Sequence, residues 1–496
     1  MRRTRLLGAA VALILVASCS SGESIVSDGD DKDTTTSAGS SGSDTTAPAE
    51  TTTTVAADTL PDCPTAALAD ATGTVDLTFW HGMSGTLEEE LQALTDAYNS
   101  SQSKVKVSLV GGSYEETFDK YLQSNQGNRP DLMQSPEYTL QALIDTESVV
   151  PVGKCIDESG FDTSAFIPAA LAAYEAQGMQ WSLPFNVSNP VLFYNKKVFV
   201  AAGLDPEKPP TSLEELASYS KQIVDSGAAK YGLALESGFD SGGGWFIEQW
   251  FCKAGEYYVD GDNGRTSRAT EVLYNNASGV EMLTFLQQMV ADQTAVNVGD
   301  NTQSGYDNLL KLADSQEPAA MTIATSASLG PVLDVLGGGQ FPNIGSGDVG
   351  VGPMPGPNGN PGVLIGGASL WVVDHDDPVR AAAAWDFITF LTGAEQQSQW
   401  GAGTGYVPVR SDALEFEPYK STLANDPRFA VAGEQLEASP DALTSAGPVV
   451  GPLRAMRAVM AVAVAAILGG ADVQATLDDA ASQSNALISD YNALND

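Results

Sequence analysis

The sequence predicts an α/β protein built of two lobes. A strand, a helix and a second strand follow one another between Thr74 and Leu109, the pattern of a βαβ unit with a parallel sheet and a right-handed crossover. About 420 residues of ordinary apolar content run from Thr74 to Asp496, enough for two lobes of typical domain size and too many for one core.

The elements follow in order. Val75, Leu77 and Phe79 alternate with Asp76 and Thr78, the period of a half-buried strand. Thr86 with Glu89 fits a capping box, and Leu87, Leu91, Leu94 and Tyr98 recur at helical spacing. Lys104–Leu109 alternates again. A helix is predicted over Ser212–Ser226, with Pro209 and Pro210 ahead of Thr211 and Glu214 as its start. The stretch 337–367 is rich in Gly and Pro and reads as a long connecting loop into a strand over Ala368–Val373. Arg457–Leu468 is apolar on nearly every side yet far shorter than the roughly 20 residues a membrane span needs, so a buried helix is expected. Arg454 and Arg457 share one face of it and are candidates for an anion contact.

The start of the chain has a different character. Arg2, Arg3 and Arg5 precede a short apolar stretch, and small residues lead to Cys19. Residues 1–18 read as a signal peptide that resembles those of bacterial lipoproteins, with Cys19 as the acylated residue. Residues 19–58 hold Ser, Thr, Gly, Asp and Ala with almost no large apolar side chain, the composition of a disordered linker. The expected location is the extracellular face of the cell membrane, reached by secretion and held by lipid.

Composition excludes some partners. The formal net charge is −39, so nucleic acid and anionic membrane surfaces are repelled. With two histidines, His81 and His375, and no Cys/His cluster, no metal or cofactor is expected. Among Cys63, Cys155 and Cys252 three pairings are possible in an oxidising compartment. Cys63–Cys155 is favoured, because it staples the segment PDCPTAAL to the first lobe; Cys252, inside WFIEQWFCKAG, then reads as a buried thiol.

Six blocks carry a resemblance to a family: FWHGMSG (79–85), PFNVSNPVLFYNK (184–196), AGLDPEKPPTSLEELASY (202–219), AAMTIATSASL (319–329), IGGASLWV (365–372) and TGYVPV (404–409). In order and spacing they resemble the extracellular solute-binding proteins of ABC importers, most of all the glycerol-3-phosphate and glycerophosphodiester branch. The resemblance implies a type II periplasmic-binding-protein-like fold with mostly parallel sheets flanked by helices and a hinged cleft. Residues 59–185 and 324–370 would form lobe 1, and 186–323 and 371–496 lobe 2. It implies a monomer that captures a small phosphorylated polyol, such as glycerol-3-phosphate or glycerophosphocholine, and hands it to a membrane permease.

Residue by residue, the resemblance assigns Tyr114 in GGSYEET and Glu137 in PDLMQSPEY to the ligand. A carboxylate accepts hydrogen bonds from vicinal hydroxyls and repels phosphate, so Glu137 suits the glycerol end. Ser188, Thr325 or Ser326, the backbone of Gly367, and Tyr406 match the donor positions, and Arg457, with Arg454 as substitute, supplies the guanidinium. Where relatives carry Trp in an SGW segment, this chain has Ser237-Gly238-Phe239 and then Trp245. Either Phe239 lines a wider pocket or Trp245 replaces the ring. Two alternatives compete: an oligosaccharide binder that stacks sugars on Trp80, Phe239, Trp245 and Trp371, and a secreted hydrolase using Glu137 with Asp240. No G-x-S-x-G or H-E-x-x-H motif supports the hydrolase.

Overall fold

The computed structural model describes residues 60–239, 241–300 and 306–495. The readings on the signal peptide, Cys19, the linker and Asp240 fall outside the described residues.

In chain order the first strands are β1 (Val75–His81), β2 (Val105–Gly111), β3 (Leu132–Pro136), β4 (Val149–Val150), β5 (Glu175–Ala176), β6 (Met179–Gln180) and β7 (Leu183–Ser188). The rest are β8 (Pro190–Asn195), β9 (Tyr231–Leu235), β10 (Ala295–Asn297), β11 (Ala319–Thr325), β12 (Val349–Pro353) and β13 (Gly366–Val373). The first sheet has the order β2-β1-β3-β13-β4 with β7 beside β13, the second β10-β9-β11-β8-β12, and β5 and β6 pair as a small hairpin.

Both sheets are mixed, which corrects the expectation of mostly parallel ones. β1 runs parallel to β2 and β3, and β9 parallel to β10 and β11. β13 is antiparallel to β3, β4 and β7, and β8 to β11 and β12. The antiparallel strands are those by which the chain enters one sheet from the other, without the crossover helix that enforces parallel pairing.

The same crossings correct the expected lobe boundaries. The chain passes from β7 to β8 at Asn189 and returns between β12 and β13, so 349–353 belongs to the second sheet and 371–373 to the first. Pro378–Leu391 then packs on β1. Glycine misled the reading of 337–367. In register with β8, Gly350 faces Tyr194, where a Cβ would lie 2.1 Å from the phenol ring. These glycines allow flat packing of an edge strand rather than a turn.

The helices used below are α1 (Thr86–Ser101), α2 (Tyr114–Gln123), α3 (Leu213–Ser226), α4 (Trp245–Ala254), α5 (Pro378–Leu391), α6 (Ala394–Thr404), α7 (Leu453–Leu468) and α8 (Val473–Asn495). The caps shift by a residue from those expected. Gly85, at φ +56°, precedes α1 and Thr86 makes no cap bond. At α3 the Ser212 hydroxyl accepts from the Glu215 amide at 3.1 Å, while the Glu215 carboxylate accepts from the Thr211 amide at 2.8 Å. α7 buries Met456, Met460, Val464 and Ile467 but leaves Val462 72% exposed, so it is not buried all round. Its outward positions are mostly alanine, which has little apolar surface to hide.

Cys63 and Cys155 form a disulfide with Cα atoms 4.9 Å apart, and Cys252 is a buried free thiol. Among the described residues no helix is long and apolar enough to cross a membrane, and no group of His, Cys, Asp and Glu is arranged to hold a metal.

Candidate ligand-binding site

Open α/β sheets present ligands at the carboxyl ends of their parallel strands. The expected residues gather there. Tyr114 follows β2 and begins α2, a helix closed by a full capping box of Ser113 and Glu116. Glu137 follows β3, Phe239 follows β9, Thr325 ends β11 with Ser326 just after it, and where β7 and β13 pair Ser188 faces Gly366 and Gly367 faces Val187.

Asn186 organises one side. Its side-chain amide donates to the Tyr114 hydroxyl at 2.8 Å and its carbonyl accepts from Gln134 at 2.7 Å; Gln134 in turn accepts from the Gly82 amide at 2.9 Å. The Tyr114 ring lies over Gly82, where a Cβ would sit 2.2 Å from it. The Tyr406 hydroxyl joins the network beside Asn186 and Tyr114, and burial pushes the Tyr114 and Tyr406 phenols up. Both therefore keep their protons and can donate. Gly367 has φ +92°, and a Cβ there would meet the Asn186 carbonyl oxygen at 1.8 Å, so no other residue fits.

The other side is ionic. Arg457, 4% exposed on α7, donates through Nε and Nη2 to the two oxygens of Glu248 on α4, each at 2.7 Å. Nη2 also donates to Glu137 at 3.0 Å, and the guanidinium carbon lies 5.4 Å from the centre of the Tyr138 ring. Nη1 takes no part in these bonds. Burial alone would lower the guanidinium, but Glu248 and Glu137 more than offset it and hold the charge. Burial pushes the Glu137 carboxyl up, Arg457 opposes this, and Glu248 adds to it. Arg454 instead points to Asp119 at the surface, 3.4 Å away.

Between β9 and α4, residues 236–239 and 241–244 fit closely beneath α7. The buried Glu236 carboxylate accepts from the amides of Gly238 (2.9 Å) and Gly242 (2.6 Å) and from the Ser241 hydroxyl. A Cβ at Gly243 would stand 2.6 Å from Ala461, and one at Gly244 2.2 Å from the Phe239 carbonyl and 3.0 Å from Arg457. The glycines let this turn meet the helix. Trp245 is buried, with its ring on Gly366 and its Nε1 donating to the Ile365 carbonyl at 3.2 Å.

Two expected residues take other partners, and a third is buried. Ser326 is tied into the crossing: its hydroxyl accepts from the Asn189 amide at 3.2 Å, and its amide donates to the Asn189 carbonyl at 2.8 Å. Asn189 also donates to the Ala432 carbonyl and accepts from Gln435. Thr325 caps the turn that follows it, accepting from Ala327 at 3.4 Å, and Ser188 is buried at the end of β7. A small cavity lined by Leu235, Phe246, Trp250, Ile323 and Val464 lies in the second half, and none of the expected ligand residues lines it.

Sequence reasoning missed Gln134, Asn186, Glu236 and Glu248. Glu248 left a signal: it is a lone acid in the aromatic run WFIEQWF, and a buried acid needs a partner. Gln134 and Asn186 left none, since amides in strands are ordinary.

Two mixed sheets joined by crossing strands, with polar side chains collected where their carboxyl ends meet, define a two-lobed solute-binding protein of the type II periplasmic fold. Solved structures share it. One is the UgpB from Mycobacterium tuberculosis in complex with glycerophosphocholine, with a TM-score of 0.68 and 21% identity over 85% of this chain and 100% of that one. Another is the cyclic α-maltosyl-1,6-maltose binding protein from Arthrobacter globiformis, with a TM-score of 0.68 and 22% identity over 84% of this chain and 99% of that one. The sn-glycerol-3-phosphate-binding periplasmic protein UgpB of Pectobacterium atrosepticum is 30% identical over 448 residues, 87% of this chain and 96% of the relative. Residues 93–431 match the bacterial extracellular solute-binding protein family, and the chain belongs to that family. It is a binding protein and not an enzyme, which removes the hydrolase alternative.

Proposed function

We propose that the protein is the receptor of an ABC importer and captures a glycerol phosphate ester, glycerol-3-phosphate or a diester such as glycerophosphocholine, for delivery to the permease. Cys19 would carry the lipid that holds it, as a monomer, at the outer face of the membrane. The observation that carries the reading is the buried Arg457 with Glu137 3.0 Å away. A guanidinium binds phosphate oxygens, and a carboxylate accepts from hydroxyls, so a polyol with one phosphate end meets both. Tyr114, Tyr406 and the Gly367 backbone supply neutral donors, which stabilise an anion inside an acidic protein. Relatives named for sn-glycerol-3-phosphate support the same ligand class. Closure around the ligand would then mark the loaded form for the permease.

The saccharide reading loses three of its four stacking rings, because Trp80, Trp371 and Trp245 are 5%, 1% and 6% exposed within the hydrophobic cores. The test is calorimetry with glycerol-3-phosphate, glycerophosphocholine, maltose and trehalose on the wild type, Arg457→Ala and Glu137→Gln. Phosphate esters should bind the wild type and lose about tenfold or more in each variant, as expected for a charge-assisted contact of about 1.5–3 kcal/mol. Unchanged affinity in both variants, or binding of the neutral sugars alone, would overturn the proposal.

A further inference from the structure

We infer that Glu248 sets the charge class of the ligand: by neutralising Arg457 it turns the site against phosphomonoester dianions and toward phosphodiesters. The inference rests on the glycerol phosphate reading above.

Glu248 is 1% exposed on α4 and grips the guanidinium with both oxygens, through Nε and Nη2. That pair is neutral before any ligand arrives. Glu137 takes the remaining hydrogen of Nη2, so one cation faces two carboxylates. Among the described residues no other ion pair involves either acid. Three neutral groups lie close to them: the Tyr138 ring beside the guanidinium, the Tyr174 phenol near Glu137 and the Tyr258 phenol near Glu248, the last two pushed up by burial.

Nη1, and Nη2 where Glu137 yields its contact, are left to meet phosphate, as donors whose charge Glu248 already balances. A phosphomonoester carries −1.5 to −2 near pH 7, because its second pKa is about 6. A diester carries −1, and with a choline head group it is neutral overall. Each added negative charge meets Glu248 at short range in a buried site, where repulsion is poorly screened. A bare polyol phosphate is therefore penalised most and a zwitterionic diester least.

The experiment compares glycerol-3-phosphate, glycerophosphoglycerol and glycerophosphocholine at pH 7.5 on the wild type, Glu248→Gln and Glu248→Asp. In the wild type both diesters should bind at least about tenfold more tightly than the monoester. Glu248→Gln keeps the size and an acceptor oxygen but removes the charge. It should raise glycerol-3-phosphate affinity about tenfold while moving glycerophosphocholine by less than about threefold, and Glu248→Asp should retain the wild-type ranking. A wild type that prefers the monoester overturns the inference without needing any variant to fold, and so does a Gln variant in which all three ligands shift together or none shifts. A wild type that binds none of the three refutes the glycerol phosphate reading itself, and the inference with it.

Discussion

Two arginines are buried among the described residues, and their surroundings differ in kind. Arg265, 6% exposed, donates to five backbone carbonyls: Ala172 (2.8 Å), Ala173 (3.3 Å), Glu175 (2.6 Å), Gly447 (2.7 Å) and Ala446. Three of these lie just before the hairpin of β5 and β6 or in it, and two in the segment leading to α7. Arg457 instead bonds to carboxylates, Glu248 and Glu137. Carbonyl dipoles are fixed and do not titrate, so Arg265 is a strut that ties distant segments together. Carboxylates can change partner or protonation state, so Arg457 can exchange a contact with an incoming anion. Burial depresses Arg265 to about 9, still far enough above neutrality to keep its charge.

The largest effect should come from Arg265→Ala. It leaves several buried carbonyls unpaired and opens a cavity, and each lost bond to a charged group is worth about 1.5–3 kcal/mol. We expect a loss of about 4 kcal/mol or more in denaturant unfolding, of equal size at pH 5 and pH 8. Arg457→Ala should cost about 3 kcal/mol near pH 7, as for a broken buried pair, and this loss should shrink on acidification. The sign follows from Glu137, whose carboxyl is already raised. Without the opposing guanidinium it rises further, so the folded state binds the proton more tightly than the unfolded one. Stability is then present below the unfolded pKa and lost as pH rises through the folded one. Equal pH profiles for the two variants would erase the distinction drawn here between strut and exchangeable contact.

The distinction also shows what could be read from sequence. The opening βαβ unit, the start of α3 and the apolar character of α7 were legible because period and caps are local. Tyr114, Glu137, Gly367 and Tyr406 were assigned through the family resemblance, and all four lie near Asn186 or Arg457. Nothing local distinguishes Arg265, in DGDNGRTSR, from a surface arginine, since its acceptors lie about 90 and 180 residues away along the chain. Ser326 was assigned to the ligand by its place in TIATSASL, whereas its partner, Asn189, is 137 residues distant. The β12 strand was hidden by glycines whose purpose is set by Tyr194 across the sheet.

A third buried cation sharpens the comparison with the smallest effect. Lys253 is 3% exposed at the end of α4, with its stem against Gly356 and its ammonium donating to the Asn360 carbonyl at 3.2 Å. It has neither the five carbonyls of Arg265 nor the carboxylates of Arg457, and burial lowers it to about 8, with Cys252 opposing. A lysine in the unfolded chain titrates near 10.4. Between about pH 8 and that value the unfolded state binds the extra proton, so this group makes stability rise with pH across the window and contributes a constant penalty below it. Lys253→Met keeps the stem and removes the charge. It should therefore stabilise the protein at pH 7 by about 1–3 kcal/mol, the penalty less the lost carbonyl bond, and the difference from wild type should vanish by about pH 10. Urea unfolding of both proteins from pH 6 to 10 reads that difference directly. A difference that stays flat across the window would mean that the single carbonyl satisfies the ammonium, and that Lys253 belongs with Arg265 as a strut.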